Sequence, residues 1–245
     1  MTTRRTSLVG IKKMDTTNAG LWLEKYITNQ AEDDSGARWG LVQEVCGIGT
    51  PPEYERWFER WRRALQDFGA SLGKAKVVGR MVVGLGGESV LETSIALHHT
   101  YGVPYIPGTA LKGVAARFAR QYLGSEWQEG SPAYKVVFGT TEEAGYITFF
   151  DAMPFPGTKF LYPDVIAVHH PEYYQGEGKP PADWDSPNPV PFIAAAGEYL
   201  VALAGPHAWV EKVFEILYHA LRHLGVGAKT SSGYGRLLLD LGSSD

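Results

Sequence analysis

The sequence predicts an α+β fold of the ferredoxin-like type, with an N-terminal helical extension and long insertions. Two observations carry this prediction. From Lys76 onwards the segments follow the order strand, helix, strand, strand, helix, strand, which is the split βαβ arrangement. Most of these segments also begin or end at Gly, Pro or a polar turn, which separates strands from helices.

Three segments repeat apolar residues at helical spacing, and they predict helices over 53–72, 109–123 and 209–224. The second of these gathers Lys112, Arg117 and Arg120 on the arc opposite its apolar face. Gly108 and Thr109 precede that face, and a threonine hydroxyl can accept a hydrogen bond from a free main-chain N–H at the start of a helix. We therefore expect Thr109 to cap this helix.

Val-rich and aromatic segments predict strands over 76–84, 145–152, 161–169 and 236–241, and 192–204 predicts a buried strand or half of a hairpin. The proline density of 171–191 excludes a helix or a central strand there. We therefore divide the chain into an N-terminal extension, residues 1–75, with the helix 53–72, and a ferredoxin-like domain, residues 76–241. The domain has insertions at 85–107 and 170–191.

Composition excludes several classes of protein. The 245 residues are 44% hydrophobic and 20% charged, which excludes a wholly disordered chain. A single cysteine, Cys46, excludes a disulfide framework, and no apolar run approaches the about 20 residues that span a bilayer. The basic N-terminus lacks an apolar signal core, so we expect a cytoplasmic protein. The net charge of −4 gives no overall basic signature, but nucleic-acid binding depends on local patches.

The segment 225–236, GVGAKTSSGYGR, is the sharpest local motif. Its glycines permit close approach, and its amides, hydroxyls and cations can hold phosphate oxygens. It follows a helix and precedes a strand, which excludes a dinucleotide-binding fingerprint, and Ala228 before Lys229 excludes a Walker loop. A purely structural turn is the alternative.

A second motif, 103–117, places two prolines and Gly108 before a helix that carries Lys112. A helix start beside a lysine favours anions, although an ordinary capped helix is the alternative. Because both helices of a ferredoxin-like domain pack on one face of the sheet, we expect the two motifs to form one surface.

Together, YGVPYIPGTALKG and GVGAKTSSGYGR resemble the signature of the repeat-associated mysterious proteins (RAMPs) of CRISPR–Cas systems. FFDAMP at 149–154 and the stretch 169–193 resemble the sixth, terminal backbone subunit of the type III-B Cmr module. The resemblance covers roughly residues 76–240.

The resemblance implies an RRM-like (ferredoxin-like) RAMP fold and a non-catalytic subunit that binds CRISPR guide RNA. Such a subunit caps the filament on the 3′-end side of the guide. Its implied partners are guide RNA, complementary target RNA, the repeated backbone RAMP subunit, the small subunit and the 3′-end RAMP subunit, with no membrane and no cofactor. The implied RNA-binding residues are Gly108, Thr109, Lys112, Arg117, Lys229, Thr230, Ser231, Ser232, Gly233, Tyr234, Gly235 and Arg236. Tyr234 is expected to stack on a base.

Two alternatives stay open. A RAMP-type endoribonuclease would use a histidine as general base, and His98-His99 or His169-His170 are the candidates. A protein–protein adaptor would use the Pro- and aromatic-rich segment 171–191. We expect structural or surface roles for the remaining candidates, which are the helical pair His219 and His223, the acidic residues Asp151, Glu142 and Glu143, and Cys46.

Overall fold

A computed structural model describes residues 8, 10–29, 35–91, 93–168 and 188–240 of the chain. The helices are α1 (Ala19–Lys25), α2 (Ser35–Cys46), α3 (Glu53–Asp67), α4 (Gly108–Tyr122), α5 (Pro132–Phe138) and α6 (His207–His223). The strands are β1 (Ser71–Val78), β2 (Thr148–Phe149), β3 (Met153–Pro154), β4 (Leu161–Val168), β5 (Asn188–Ala195), β6 (Glu198–Ala204) and β7 (Arg236–Asp240).

The main sheet is antiparallel and has the order β2–β6–β1–β7. β3 also pairs with β6, so β2 and β3 form one edge strand that is interrupted at residues 150–152. Along the chain the four strands of the domain are then β1, this edge strand, β6 and β7. Across the sheet their order is edge strand, β6, β1, β7, which is the order of a ferredoxin-like sheet. The predicted fold class is therefore confirmed.

One face of the sheet is covered by α4 and α6, which pack against each other. In β1 the buried residues Gly73, Ala75 and Val77 alternate with exposed ones, as expected for a strand with one covered face. A Cβ at Gly73 would lie 3.2 Å from the ring of Phe214 in α6, so helix and strand approach closely there.

The N-terminal extension is fastened to the sheet by α3. The hydroxyl of Tyr54 donates to the carbonyl of Pro154 at 2.6 Å, and Phe58 packs on Phe155. The predicted helix 53–72 ends earlier, at Asp67, because Gly69 adopts a φ of +82° and turns the chain. β1 consequently begins at Ser71 and ends at Val78, whereas the sequence predicted 76–84.

A second, two-stranded sheet is formed by β4 and β5, and α2 packs against it. The predicted segment 192–204 is not one strand, because a turn at Gly197 divides it between β5 and β6, which belong to different sheets. The predicted strand 145–152 is reduced to Thr148–Phe149, since regular pairing with β6 is interrupted after Phe149 and resumes at Met153. Most of the predicted insertion 170–191 lies outside the described residues.

Candidate nucleic-acid interface

The glycine-rich loop, residues 225–235, is closed at its base by main-chain hydrogen bonds. Val226 N–H donates to Gly235 O at 2.8 Å, and Gly235 N–H donates to Arg80 O at 2.8 Å. A Cβ at Gly235 would lie 2.0 Å from Val226 O, so the closure requires glycine at that position. Ala228 N–H donates to Val82 O at 2.7 Å, which fixes the loop on the segment that follows β1.

The tip of the loop is a short 3-10 turn over Thr230–Ser232, and it faces solvent. Lys229 precedes it with a φ of 57°, which is the left-handed region. The hydroxyls of Thr230, Ser231 and Ser232 have no hydrogen-bond partner among the described residues. The tip therefore offers hydroxyl donors and an ammonium group to a ligand, as a phosphate site requires.

Tyr234 and Arg236 hold the loop from inside. The Tyr234 hydroxyl donates to Asp164 Oδ2 at 2.7 Å, and its ring packs on Phe192. Burial, followed by the hydrogen bond and charge of Asp164, raises the pKa of Tyr234 to about 12. Arg236 donates through Nη2 to Thr230 O at 3.3 Å, whereas its buried Nη1 has no partner in the described part of the chain.

The start of α4 is capped from a distant part of the sequence. Gly108 N–H donates to Asp151 Oδ1 at 2.7 Å, and Asp151 lies where the edge strand is interrupted. The predicted cap by Thr109 is wrong, because α4 begins at Gly108, one residue earlier, and the residue before it, Pro107, makes no side-chain cap. A Cβ at Gly108 would lie 2.1 Å from Phe149 O, so only glycine allows α4 to sit on the edge strand.

A groove of about 520 Å³ runs along the exposed side of α4. Thr109, Lys112 and Arg120 line it, and Arg120 forms an ion pair with Glu129 at 2.9 Å across it. Arg117 is exposed on the same helix but does not line the groove. Lys112 has no ion-pair partner among the described residues, so its charge is available to an anion.

The two motifs lie at different edges of the sheet. The loop leads into β7, and the start of α4 contacts the β2–β3 edge. The segment 80–106 joins them through main-chain hydrogen bonds from Ala96 N–H to Val83 O, from Tyr105 N–H to Ala96 O, and in both directions between Ile106 and Ala152. The expected single surface is therefore two basic regions connected by this segment.

Comparison with known proteins agrees with this architecture. A profile of the RAMP superfamily matches residues 74–238. The chain belongs to the RAMP superfamily.

This RAMP protein is 34% identical to the CRISPR system Cmr subunit Cmr6 of Pyrococcus furiosus, over 76% of this chain and 72% of that protein. It is 31% identical to the corresponding Cmr6 of Saccharolobus solfataricus, over 34% of this chain and 28% of the relative. A chain of the type III-B Cmr-beta structure bound to cognate target RNA matches with a TM-score of 0.64 at 21% identity, covering 86% of this chain and 75% of that chain. That likeness supports the fold.

The histidines of this RAMP protein differ in their surroundings. His98 is partly buried between Trp57 and Tyr101, with ring centres 5.2 and 5.3 Å away. Burial lowers its pKa, although the nearby charge of Asp151 acts in the opposite direction. Its Nδ1 accepts a bond from the Thr100 amide at 3.3 Å, so packing and turn formation account for this residue.

The other candidates have simpler placements. His219 and His223 are exposed and stack with ring centres 6.1 Å apart, and the described residues contain no group of three or more potential metal ligands. Burial raises the pKa of Cys46 to about 12, which keeps the thiol protonated. Glu142 and Glu143 donate their amides to Thr140 Oγ1 in a turn. His169 and His170 lie outside the described residues.

Arg80 is a site residue that no pattern in the sequence predicted. Its guanidinium carbon lies 3.8 Å from the ring centre of Tyr162, and its carbonyl holds the glycine-rich loop through Gly235. The contact between Arg80 and Tyr162 joins residues from separate elements, and no local pattern around Gly79-Arg80 predicts it. Among the described helices, none is long and apolar enough to cross a membrane.

Proposed function

We propose that this protein is a structural, RNA-binding subunit of a type III-B Cmr effector complex. Membership in the RAMP superfamily and 34% identity to a Cmr6 subunit over most of the chain support this proposal. By the same proposal it is non-catalytic, acts in the cytoplasm, and ends the backbone filament on the 3′-end side of the guide RNA.

The glycine-rich loop is the observation that carries the proposal. Its base is closed by main-chain bonds, while its tip presents Lys229 and the hydroxyls of Thr230, Ser231 and Ser232 to solvent. A filament subunit must hold a phosphate backbone without selecting bases, and amides, hydroxyls and a few cations suffice for that. α4 supplies the second contact region through Thr109, Lys112 and Arg117, whereas Gly108 is buried with its amide bonded to Asp151 and fixes only the start of the helix.

Within the loop, the residues divide by role. Gly233, Gly235 and Arg236 shape the loop, and Arg236 also brings a positive charge to its base. Because the Tyr234 ring packs on Phe192 and its hydroxyl is bonded to Asp164, we assign it to loop shape rather than to base stacking.

The proposed partners are guide RNA and complementary target RNA, together with the repeated backbone RAMP subunit, the small subunit and the 3′-end RAMP subunit. A known structure of similar fold belongs to a Cmr-beta complex bound to cognate target RNA, which motivates the RNA partners.

The test is a salt titration of the protein with labelled single-stranded guide RNA, with and without divalent metal. Lys112→Ala with Lys229→Ala should reduce the magnitude of the salt slope by about 1.4, since each phosphate contact contributes about 0.7 on single strands. Arg56→Ala with Arg63→Ala, on the exposed side of α3, removes the same charge and should leave the slope unchanged.

Three outcomes would change the proposal. Cleavage of the RNA that is lost in His98→Ala or His99→Ala would favour the endoribonuclease. Equal slopes for the double variant and the control would overturn the assignment of the loop and α4. If the free subunit binds no RNA, the same variants are compared in the reconstituted complex, and unchanged guide binding there would reject the site.

A further inference from the structure

Two cations lie on one aromatic ring beside the glycine-rich loop. Arg80 Cζ is 3.8 Å from the ring centre of Tyr162, and Lys159 Nζ is 5.1 Å from the same centre. Arg80 follows β1 by two residues, and Lys159 precedes β4 by two residues. We propose that Arg80 and Lys159 form an RNA-phosphate site that extends the surface of the glycine-rich loop onto β4. This inference rests on the proposed function.

The site is continuous with the loop. Gly235 N–H donates to Arg80 O, so the backbone that carries the guanidinium is bonded directly to the loop. Tyr162 and Asp164 are two residues apart in β4, which places both side chains on one face of the strand. Asp164 binds the Tyr234 hydroxyl, and that bond holds this face of β4 against the loop.

Neither cation forms an ion pair within the described part of the protein. Neither Arg80 nor Lys159 has a carboxylate within 4.0 Å there. Asp164 is the acidic group on the same face, and its oxygens accept bonds from the Tyr234 hydroxyl and the Val165 amide. Two like charges beside one ring repel each other, and a bound anion relieves that repulsion.

Phosphate is the anion that fits. A guanidinium stacked on an aromatic face keeps the N–H groups at its edge open for a bidentate contact with phosphate. Among the described residues, the only side-chain hydrogen bond of Arg80 goes to the carbonyl of its neighbour Gly79, at 3.5 Å. Lys159 is exposed and adds a second positive charge. Because the Arg80 carbonyl is bonded to the base of the glycine-rich loop, an RNA strand held by the loop can also reach these cations.

The experiment uses the same labelled guide RNA and salt titration. Arg80→Ala should lower the magnitude of the salt slope by about 0.7 and weaken binding about fivefold at 0.1 M salt. Arg80→Lys keeps the charge and should keep the slope, with weaker binding because the planar fork is lost. Arg63→Ala is the matched control, because it removes one exposed arginine charge from α3 and should change neither quantity.

The ring is tested separately. Tyr162→Phe keeps the aromatic face and should bind like the native protein, whereas Tyr162→Leu removes the support of the guanidinium but not its charge, and should weaken binding without lowering the salt slope. Urea unfolding of each variant establishes that it is folded. If Tyr162→Leu does not fold, the inference is tested by Arg80→Ala alone. If Arg80→Ala binds the RNA with the same affinity and salt slope as the native protein, this inference is overturned and the proposed function is unaffected. Failure of the Lys112 and Lys229 variants to weaken binding would instead overturn the proposed function.

Discussion

The hydroxyl of Tyr234 donates a hydrogen bond to Asp164 Oδ2 at 2.7 Å and so joins two elements that lie 70 residues apart in the sequence. One is the glycine-rich loop, and the other is β4 of the two-stranded sheet. The Tyr234 ring also packs against a small buried cluster of Val82, Phe192 and Ala194. The inner side of the loop is therefore fixed, while its tip, Thr230–Ser232, stays accessible to a ligand.

Removal of this hydroxyl should loosen the attachment of the loop. We expect Tyr234→Phe to lower the free energy of unfolding by about 1 kcal/mol, because the ring packing is kept and one hydrogen bond to a carboxylate is lost. A double-mutant cycle with Asp164→Ala, measured by urea unfolding, should give a coupling energy of about 1 kcal/mol. Tyr146→Phe, on an exposed tyrosine, should change stability by less than about 0.5 kcal/mol. Strict additivity of the two changes would contradict the prediction.

The close packing of α4 on the edge strand depends on Gly108. Gly108→Ala places a Cβ 2.1 Å from Phe149 O, so we expect it to lower the free energy of unfolding by about 1–3 kcal/mol. Gly113 lies in the same helix at a position where an added Cβ would have open space around it, and Gly113→Ala should stabilise by about 0.5–1 kcal/mol. Urea unfolding of both variants checks the contrast, and equal effects of the two changes would show that the helix does not depend on this contact.

The Asp151 carboxylate caps α4 from the edge strand. We expect Asp151→Ala to cost about 1 kcal/mol of stability, as loss of a helix cap does, because the Gly108 amide loses its acceptor. Asp151→Asn retains an oxygen acceptor and should cost clearly less. Thermal and urea unfolding of the two variants separate a cap from a surface charge. Equal losses in both would indicate that charge, and not the acceptor, stabilises the helix start.

Most of the fold could be predicted from the sequence because it depends on local periodicity. The helical spacing of 109–123 and 209–224 located α4 and α6 to within a residue or two. The predicted strand 76–84 was displaced from β1, because Val-rich composition continues to residue 83 although pairing within the main sheet ends at Val78. The interruption of the edge strand at 150–152 has no local signal, since it is set by Ile106 binding to Ala152.

The site was predicted in part for the same reason. The glycine-rich loop and the start of α4 are continuous motifs, and the structure places both at the surface. The partners that complete them are distant in sequence, as Asp151 is from Gly108 and Tyr162 is from Arg80. Composition and spacing describe neighbours along the chain, so such pairings emerge only when the fold brings the segments together.

The buried thiol of Cys46 should make the protein less stable at alkaline pH. Burial raises its pKa from 9.0 to about 12, so between these values the unfolded chain releases this proton and the native state keeps it. The stability that this group contributes is therefore complete below pH 9 and is lost as the pH rises, by up to about 1.4 kcal/mol per pH unit.

Urea unfolding between pH 7.5 and 10 should show that the free energy of unfolding of the native protein declines with pH, and that this decline is about 1 kcal/mol smaller in Cys46→Ala. The buried hydroxyls of Tyr54 and Tyr199, whose pKa values burial also raises, begin to contribute only near pH 10 and affect both proteins equally. Parallel pH curves for the two proteins would show that the Cys46 thiol ionises as readily in the native state as in the unfolded chain.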